Sequence, residues 1–385
     1  MRSRSGADTL LPAGLLLVLL AASGCSGRAN EPSSDEIPIF RGAIDLEIGE
    51  IDEYDPHLFT RIPSIVEGPS GRLIVADMQS HEVRVFGPEG RFLFRFGGQG
   101  EGPGELTQPC CLAFGPDGAL WVRESTRYSV FRLADAGADH DRIVRIAHAS
   151  LGLVAPVTFD AEDRLVDIGS IMVEGGYLTA RLHHGAGGAV DTVRMADPER
   201  QATGSTTVER MFGEMAIAVH IFQPSGPRWI HAHGPGGVWA EAVTSEYSVT
   251  LHHPDGTVSR IEGPRLPGPP LGPPERERAQ SSIDRDLSRA NLRSHPFGIP
   301  DRKPPLADIF FDRSGRLWIE KTGADGDEMR EADVYAGTEL VARYRWPSRV
   351  GVGEVPWVSE STLYGTTRNS MDVQRVARVR FEPQP

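Results

Sequence analysis

The sequence predicts an all-β fold: a six-bladed β-propeller of four-stranded blades, closed by an N-terminal strand and carrying a short helical insertion. Three observations carry this expectation. The 385 residues include 43 glycines and 30 prolines, one residue in five, and both types break helices, which excludes a bundle or coiled coil. The 39% of hydrophobic residues is enough to build a core, which excludes wholesale disorder. One short unit, a turn followed by a Gly-x-Leu-Trp-like strand, then recurs six times. Its copies are Gly71-Arg72-Leu73-Ile74-Val75, Gly118-Ala119-Leu120-Trp121-Val122, Asp163-Arg164-Leu165-Val166, Gly236-Gly237-Val238-Trp239-Ala240, Gly315-Arg316-Leu317-Trp318-Ile319 and Ser361-Thr362-Leu363-Tyr364. Their first residues are spaced by 47, 45, 73, 79 and 46. Periods of about 40–50 residues are those of propeller blades. The two long intervals exceed the period by too little for another blade, so each holds an insertion.

In chain order, residues 1–24 read as an export signal. Arg2 and Arg4 precede an apolar run from Leu10 to Ala22, too short for the ~20 residues that span a bilayer. Ala22-Ser23-Gly24-Cys25 resembles the bacterial lipobox, with Ala22 where that motif most often has Leu. The resemblance implies cleavage before Cys25 and acylation of its thiol, with several acyl chains giving a stable anchor. Ser26 at the next position implies sorting to the outer membrane, facing the periplasm or the cell surface. Residues 25–39 then form a lipidated cysteine and flexible tether, and 40–385 the propeller.

In the first unit, Ile62–Val66, Leu73–Ala76, Val83–Phe86 and Phe92–Phe96 read as four successive strands. Gly87-Pro88-Glu89-Gly90 is the turn between the last two. Alternation places Phe92, Phe94 and Phe96 on one face, toward the next blade. The insertions fall at about 197–228 and 263–304. The first, around Met211 to Phe222, reads as added strand. The second opens on a proline cluster, runs through a helix-compatible stretch from about Glu275 to Leu292, and reads as a cap over one face or a surface loop. The final unit lacks an outer strand after Val376–Phe381. Ala43–Ile48 has the length and alternation to supply it, removing two open sheet edges.

Val75-Ala76-Asp77, His81-Glu82-Val83-Arg84-Val85-Phe86 and Gly87-Pro88-Glu89-Gly90 together resemble an NHL-type repeat. The run Phe96-Gly97-Gly98-Gln99-Gly100-Glu101-Gly102-Pro103-Gly104-Glu105-Leu106 resembles the linker between NHL blades, and the span from about 40 to 385 resembles the bacterial six-bladed β-propeller lipoproteins. The third unit departs from the pattern, with Asp163 replacing Gly and no Trp. The resemblance implies the fold and leaves the chemistry open.

A net charge of −13 lacks the basic footprint of a nucleic-acid binder. The glycine run has no Gly-Lys-Ser/Thr ending and no strand-to-helix context, so it is not a phosphate loop. His231 and His233 share one side of a strand. They read either as packed histidines or as two zinc ligands awaiting a third from His220, Asp308 or His81. His183-His184 and His252-His253 are adjacent pairs that point apart and read as surface residues. Cys110-Cys111 read as a buried reduced pair, with a vicinal disulfide as the alternative in an oxidising compartment. Asp325, Asp327, Glu328, Glu331 and Asp333 lack calcium-loop spacing and read as a solvated acidic hairpin; Asp52, Glu53 and Asp55 read as surface charge.

Strand register suggests ligand-binding residues on one face: His81 and Arg127, Arg368 and Asn369, and the inner-strand starts Arg61 and Asp308. Two functions follow. The favoured one is a membrane-anchored, extracytoplasmic binding or scaffold module for a peptide, glycan or partner protein. The alternative is a metal-dependent enzyme similar to the lactonase or lyase propellers, with zinc or calcium as the conceivable cofactor. No catalytic residue and no cofactor is assigned from sequence.

Overall fold

The computed structural model describes residues 37–49, 56–146, 156–173, 176–185, 189–212, 215–353 and 355–384. The signal, Cys25, the tether as far as residue 36, and Asp52, Glu53 and Asp55 lie outside the described residues. The chain opens with β1 (Ile39–Ile48). The first sheet holds β2 (Ser64–Glu67), β3 (Leu73–Asp77), β4 (Glu82–Phe86) and β5 (Phe92–Gly97). The second holds β6 (Cys111–Phe114), β7 (Leu120–Arg123), β8 (Arg127–Leu133) and β9 (Ala138–Arg145). The third holds β10 (Thr158–Phe159), β11 (Leu165–Val173), β12 (Gly176–His184) and β13 (Val190–Arg194). After the four-residue helix α1 (Pro198–Gln201), β14 (Ser205–Phe212) and β15 (Met215–Phe222) pair alone as a hairpin.

The fourth sheet holds β16 (Trp229–His233), β17 (Trp239–Val243), β18 (Ser248–His252) and β19 (Val258–Glu262), and the helix α2 (Pro273–Ala290) follows it. The last strands are β20 (Leu306–Phe311), β21 (Leu317–Lys321), β22 (Met329–Ala336), β23 (Glu339–Pro347), β24 (Trp357–Val358), β25 (Thr362–Arg368) and β26 (Gln374–Pro383). This is an all-β, propeller-like arrangement of four-stranded sheets in which every recurring Gly-x-Leu-Trp-like segment starts or precedes a second strand. The described strands are not divided into six separate four-stranded sheets, however. They form four such sheets, the hairpin, and one eight-stranded sheet in the order β20-β21-β22-β23-β1-β26-β25-β24.

The eight-stranded sheet has a local cause. β1 pairs antiparallel with β26 from Phe40–Pro383 to Ile48–Val376, as the closing-strand expectation requires. Its first residues also pair in parallel with β23, Ile39 to Arg343 and Arg41 to Arg345. Both edges of β1 are thus hydrogen-bonded, and the strand sews two four-stranded halves together.

Packing runs from sheet to sheet. Val85 and Phe94 of the first sheet meet Leu120 and Phe131 of the second. Trp121 and Tyr128 meet Val157 and Leu165 of the third, and Val166 and Ile168 meet Trp239 of the fourth. Val249 and Leu251 meet Ile309 and Ile319, while Trp318 and Tyr344 meet Leu363 and Val379 across the two halves of the long sheet. Finally Tyr364, Val376 and Ile48 meet Leu73, Val75 and Phe86, which returns to the first sheet. Phe92 is a correction. A bulge between Val85 and Phe86 pairs Val85 with Phe94 but Phe86 with Phe92, so Phe92 turns to the opposite side from Phe94 and packs with this last cluster.

The insertions also differ from expectation in part. Residues 197–228 add no strand to a four-stranded sheet; they make α1 and the separate hairpin. α2 agrees with the helix-compatible stretch and starts two residues early. Pro273 and Pro274 open it, the Glu275 carboxylate accepts from the Gly272 N–H at 2.8 Å, and Asn291 ends it in the left-handed conformation.

Arg378 on β26 is 6% exposed and donates to both oxygens of Asp45 on β1 at 2.9 Å and to the Pro88 carbonyl at 2.7 Å. Asp45→Ala leaves that guanidinium buried without its carboxylate and is expected to cost about 2 kcal/mol, read from the midpoint of urea unfolding. Adding Arg378→Met should recover part of the loss, because it removes the stranded charge.

Candidate functional site

The inner strands β2, β6, β10, β16, β20 and β24 lie about one axis. Each is followed by a tight turn: Gly68-Pro69-Ser70-Gly71, Gly115-Pro116-Asp117-Gly118, Asp160-Ala161-Glu162-Asp163, Gly234-Pro235-Gly236-Gly237, Asp312-Arg313-Ser314-Gly315 and Ser359-Glu360-Ser361-Thr362. Where these strands end, they enclose a funnel of about 400 Å³ lined by residues from every repeated unit, from Val66 through Phe114, Phe159, His233 and Phe311 to Trp357. Such a volume is within the range of small-molecule sites.

Of the three aspartates that line the funnel, Asp160 and Asp312 are committed to turns. Asp160 accepts from the N–H groups of Glu162 and Arg164, from the Arg164 guanidinium at 2.8 Å, and shares 2.9 Å with His183 Nδ1. Burial works to raise its pKa, but the His183 and Arg164 contacts outweigh that and hold it below the ordinary carboxylate value. Asp312 is the equivalent residue, accepting from the N–H groups of Ser314 and Arg316, the Arg316 guanidinium and the Trp318 indole. These carboxylates build turns. What remains for a ligand is an aromatic and apolar wall formed by Phe114, Phe159, Phe311, Val355 and Trp357, beside the exposed side chains of Asp163 and Arg313.

The residues chosen from strand register do not converge. Arg127 is 6% exposed and bonds inward, to Glu124 at 2.9 Å and to the carbonyls of Glu101 and Glu105 at 2.7 and 2.9 Å, so it fastens the glycine-rich linker to the second sheet. The His81 ring is bonded to the Thr107 carbonyl, tying the same linker down. Arg61 is exposed, and its backbone N–H donates to Asp77. Arg368 is exposed and held by Asp372, while the Asn369 side chain closes that same turn through the N–H groups of Met371 and Val373. Asp308 lies across from Glu320 beside a bulge at the start of β20. Burial raises both carboxyls; for Glu320 the Arg330 charge opposes the rise and the Asp308 charge adds to it.

His231 and His233 contact each other directly, and they do so with a residue the sequence did not single out. Arg181 on β12 is 2% exposed and lies 3.0 Å from His233 Nδ1; His233 Nε2 lies 3.1 Å from His231 Nδ1. A guanidinium only donates, so His233 must accept at Nδ1 and carry its proton on Nε2. That proton is then directed at His231 Nδ1, which leaves the His231 proton on Nε2. Every ring lone pair is used and a buried cation stands next to them, so the pair does not fit a zinc site. Burial pushes the His231 ring down to about 4, with the Arg181 charge assisting and Glu241 opposing. Burial, then His231 and Arg181, push His233 well below its ordinary value, and burial lowers Arg181 to about 10.

The cluster fills the wedge between the third and fourth sheets. The Trp229 indole donates to Glu241 at 2.7 Å, Arg200 adds an ion pair to Glu241 at 3.3 Å, and His252 stacks on Trp239 with ring centres 3.7 Å apart. His252 is therefore half-buried within the fourth sheet on its cross-strand partner Trp239, not the surface residue expected; His253 bonds to Ser259 and His183 to Asp160. His220 lies on the hairpin, bonded to Thr207. Among the described residues, no three His, Cys, Asp or Glu side chains are placed to hold a metal ion together. The acidic hairpin is also corrected in part. Asp333 and Glu331 sit inside a network with Lys321, Arg343 and Arg345, and Asp333 is 3% exposed. Cys110 and Cys111 are joined by a disulfide, not left as thiols, and are buried against the third sheet.

No family model matches the chain, and no curated protein matches it. Among solved structures it is similar to virginiamycin B lyase from Staphylococcus aureus, with 10% identity over 90% of this chain and 96% of that one and a TM-score of 0.40. It is also similar to a candidate exported protein from Bacteroides fragilis, at 10% over 89% and 99% with a TM-score of 0.48. The third is the calcium-binding protein regucalcin from Agrobacterium tumefaciens, at 12% over 90% and 98% with a TM-score of 0.39. Likenesses this distant carry no argument about activity.

A histidine held neutral in the fold but free to protonate near pH 6.5 when unfolded makes the unfolded chain bind more protons as pH falls. Stability is therefore full above about pH 6.5 and declines as the pH drops toward 4, the value His231 reaches in the fold. Between pH 7 and 5 the His231 share is roughly 1–2 kcal/mol. His231→Asn combined with His233→Gln should flatten the pH dependence of the urea midpoint over that range.

Proposed function

We propose that the chain is an exported, lipid-anchored propeller that binds a ligand in its axial funnel and has no catalytic role. The observation that carries this reading is the funnel of about 400 Å³ at the ends of the inner strands, walled in part by aromatic rings and with Asp160 and Asp312 spent on turns. A site built this way gains from burying apolar surface. The ligand class that fits is a compact apolar or aromatic group, either a small molecule or the side chains of a bound peptide or protein. The metal-dependent enzyme loses its argument with the histidine pair.

Counting the two halves of the eight-stranded sheet as separate blades gives a six-bladed ring of NHL type, and the cyclic order of the apolar clusters supports that count. Export and anchoring rest on Leu10–Ala22 and Ala22-Ser23-Gly24-Cys25, with the anchor placing the propeller at the outer membrane, facing the periplasm or the cell surface. Among the described residues no helix is long and apolar enough to cross a membrane.

The funnel is tested with 8-anilinonaphthalene-1-sulfonate, whose emission rises in apolar sites. Val355 is part-exposed on the funnel wall, and Val355→Arg is expected to weaken dye binding about tenfold with little change in melting temperature. Unchanged dye binding would overturn the funnel reading. Separately, Cys25→Ala should abolish labelling by radioactive palmitate and move the chain from the membrane to the soluble fraction.

A further inference from the structure

A second cleft, of about 520 Å³, lies at the other end of the same strands, beside the starts of β16 and β20. Much of its wall lies outside the recurring units. One side is the segment around α1 and the hairpin, contributing Gln201, Thr203, Phe222 and Ser225; another is Lys303 and Pro304, which end the second insertion. The two insertions also hold each other. Gln223 Nε2 donates to the Gly298 carbonyl at 3.2 Å, and Arg289 donates to the His220 carbonyl at 3.1 Å. Gly204 closes the base of the wall at φ +67, so near Pro227 that a Cβ there would stand 1.8 Å from its carbonyl oxygen. The cleft is thus held by specific contacts between its walls.

Its chemistry is unlike that of the chain around it. No Asp or Glu lines the cleft, although acidic residues outnumber basic ones by 53 to 40 in the sequence. Its cations are Arg228 and Lys303. Lys303 is neutralised by Glu275. Arg228 spends one Nη on the Ala307 carbonyl at 2.7 Å, which steadies the guanidinium and leaves its other donors for a ligand. Arg228 also lies within electrostatic reach of the Asp308 and Glu320 carboxyls, so the cleft offers one guanidinium fork without a large excess of positive charge, which suits a carboxylate gripped in bidentate fashion better than a phosphate dianion. Phe222 is 63% exposed, and the Trp229 ring is oriented by its bond to Glu241. Aromatic faces beside amide and hydroxyl side chains such as Gln201, Thr203 and Thr322 suit a ring with apolar faces and a rim of hydroxyls.

We propose that this cleft binds an acidic oligosaccharide, with the Arg228 guanidinium on a uronate carboxylate and Phe222 and Trp229 against sugar faces. This site is separate from the funnel, and either reading can fail without the other. The test is calorimetric titration of the full chain with trigalacturonate, with a glucuronate trisaccharide as a second acidic probe and maltotriose as the neutral control. At least one acidic probe is expected to bind at least about tenfold more tightly than maltotriose. Arg228→Gln should weaken that binding about tenfold and Phe222→Ala by roughly threefold or more. Phe222 is exposed, so its variant keeps the test valid if the Arg228 variant fails to fold. Arg368→Ala, at an exposed position that lines neither cavity, should bind as the parent does. Failure of both acidic probes to bind at about 10 mM, equal binding of maltotriose, or unchanged affinity in both cleft variants would overturn the proposal.

Discussion

A ring of sheets holds together only if its last sheet packs on its first. Here that condition falls on ten residues, Ile39–Ile48. This strand pairs along its length with the last strand of the chain and over its first residues with β23. The apolar cluster joining Tyr364, Val376 and Ile48 to Leu73, Val75 and Phe86 depends on that pairing. The funnel depends on it in turn, because Trp357 and Val66 line the same cavity from the two ends of the chain. Closure also yields an eight-stranded sheet, since a strand bonded on both edges merges its neighbours.

Between the sheets, the chain repeatedly buries an arginine with a carboxylate or a ring. Arg123 of the second sheet meets Asp167 of the third with Tyr128 alongside, and Arg181 of the third meets His233 of the fourth. Buried charges of this kind contribute little net stability, yet removing one partner is costly. Their effect is to fix how one sheet is seated on the next, and with it the spacing of the inner strands. The same logic removes His231 and His233 from metal chemistry: a pair seated by a buried cation has no lone pair to give. Arg127 and His81 are a second instance, since the groups that looked available for a ligand are consumed in holding the linker between the first two sheets.

The two cavities then divide along the strands. At one end, turns built by Asp160, Asp312 and glycines leave a funnel with an aromatic wall. At the other, two insertions that disturb the repeat period meet beside the strand starts and leave a polar, carboxylate-free cleft. The propeller supplies the axis and the insertions supply the difference between its ends.

The strands were legible because alternation and turn residues act within a few positions. Ser64–Glu67, Leu73–Asp77, Glu82–Phe86 and Phe92–Gly97 lie within two residues of where the pattern places them, and the sixfold recurrence is a property of the chain alone. The closing strand was legible for the same reason: it had the right length and the last unit lacked a partner. The sites were not. His233 meets Arg181 across 52 positions and Arg378 meets Asp45 across 333, and no local pattern encodes such pairs. The turn of Phe92 away from Phe94 needed only one bulged residue, invisible to a period of two. Sequence determined which segments are strands and how often they recur, because those preferences are local. Tertiary structure decided which charged residues are spent on packing and which remain for a ligand, because that depends on what the neighbouring sheet places against them.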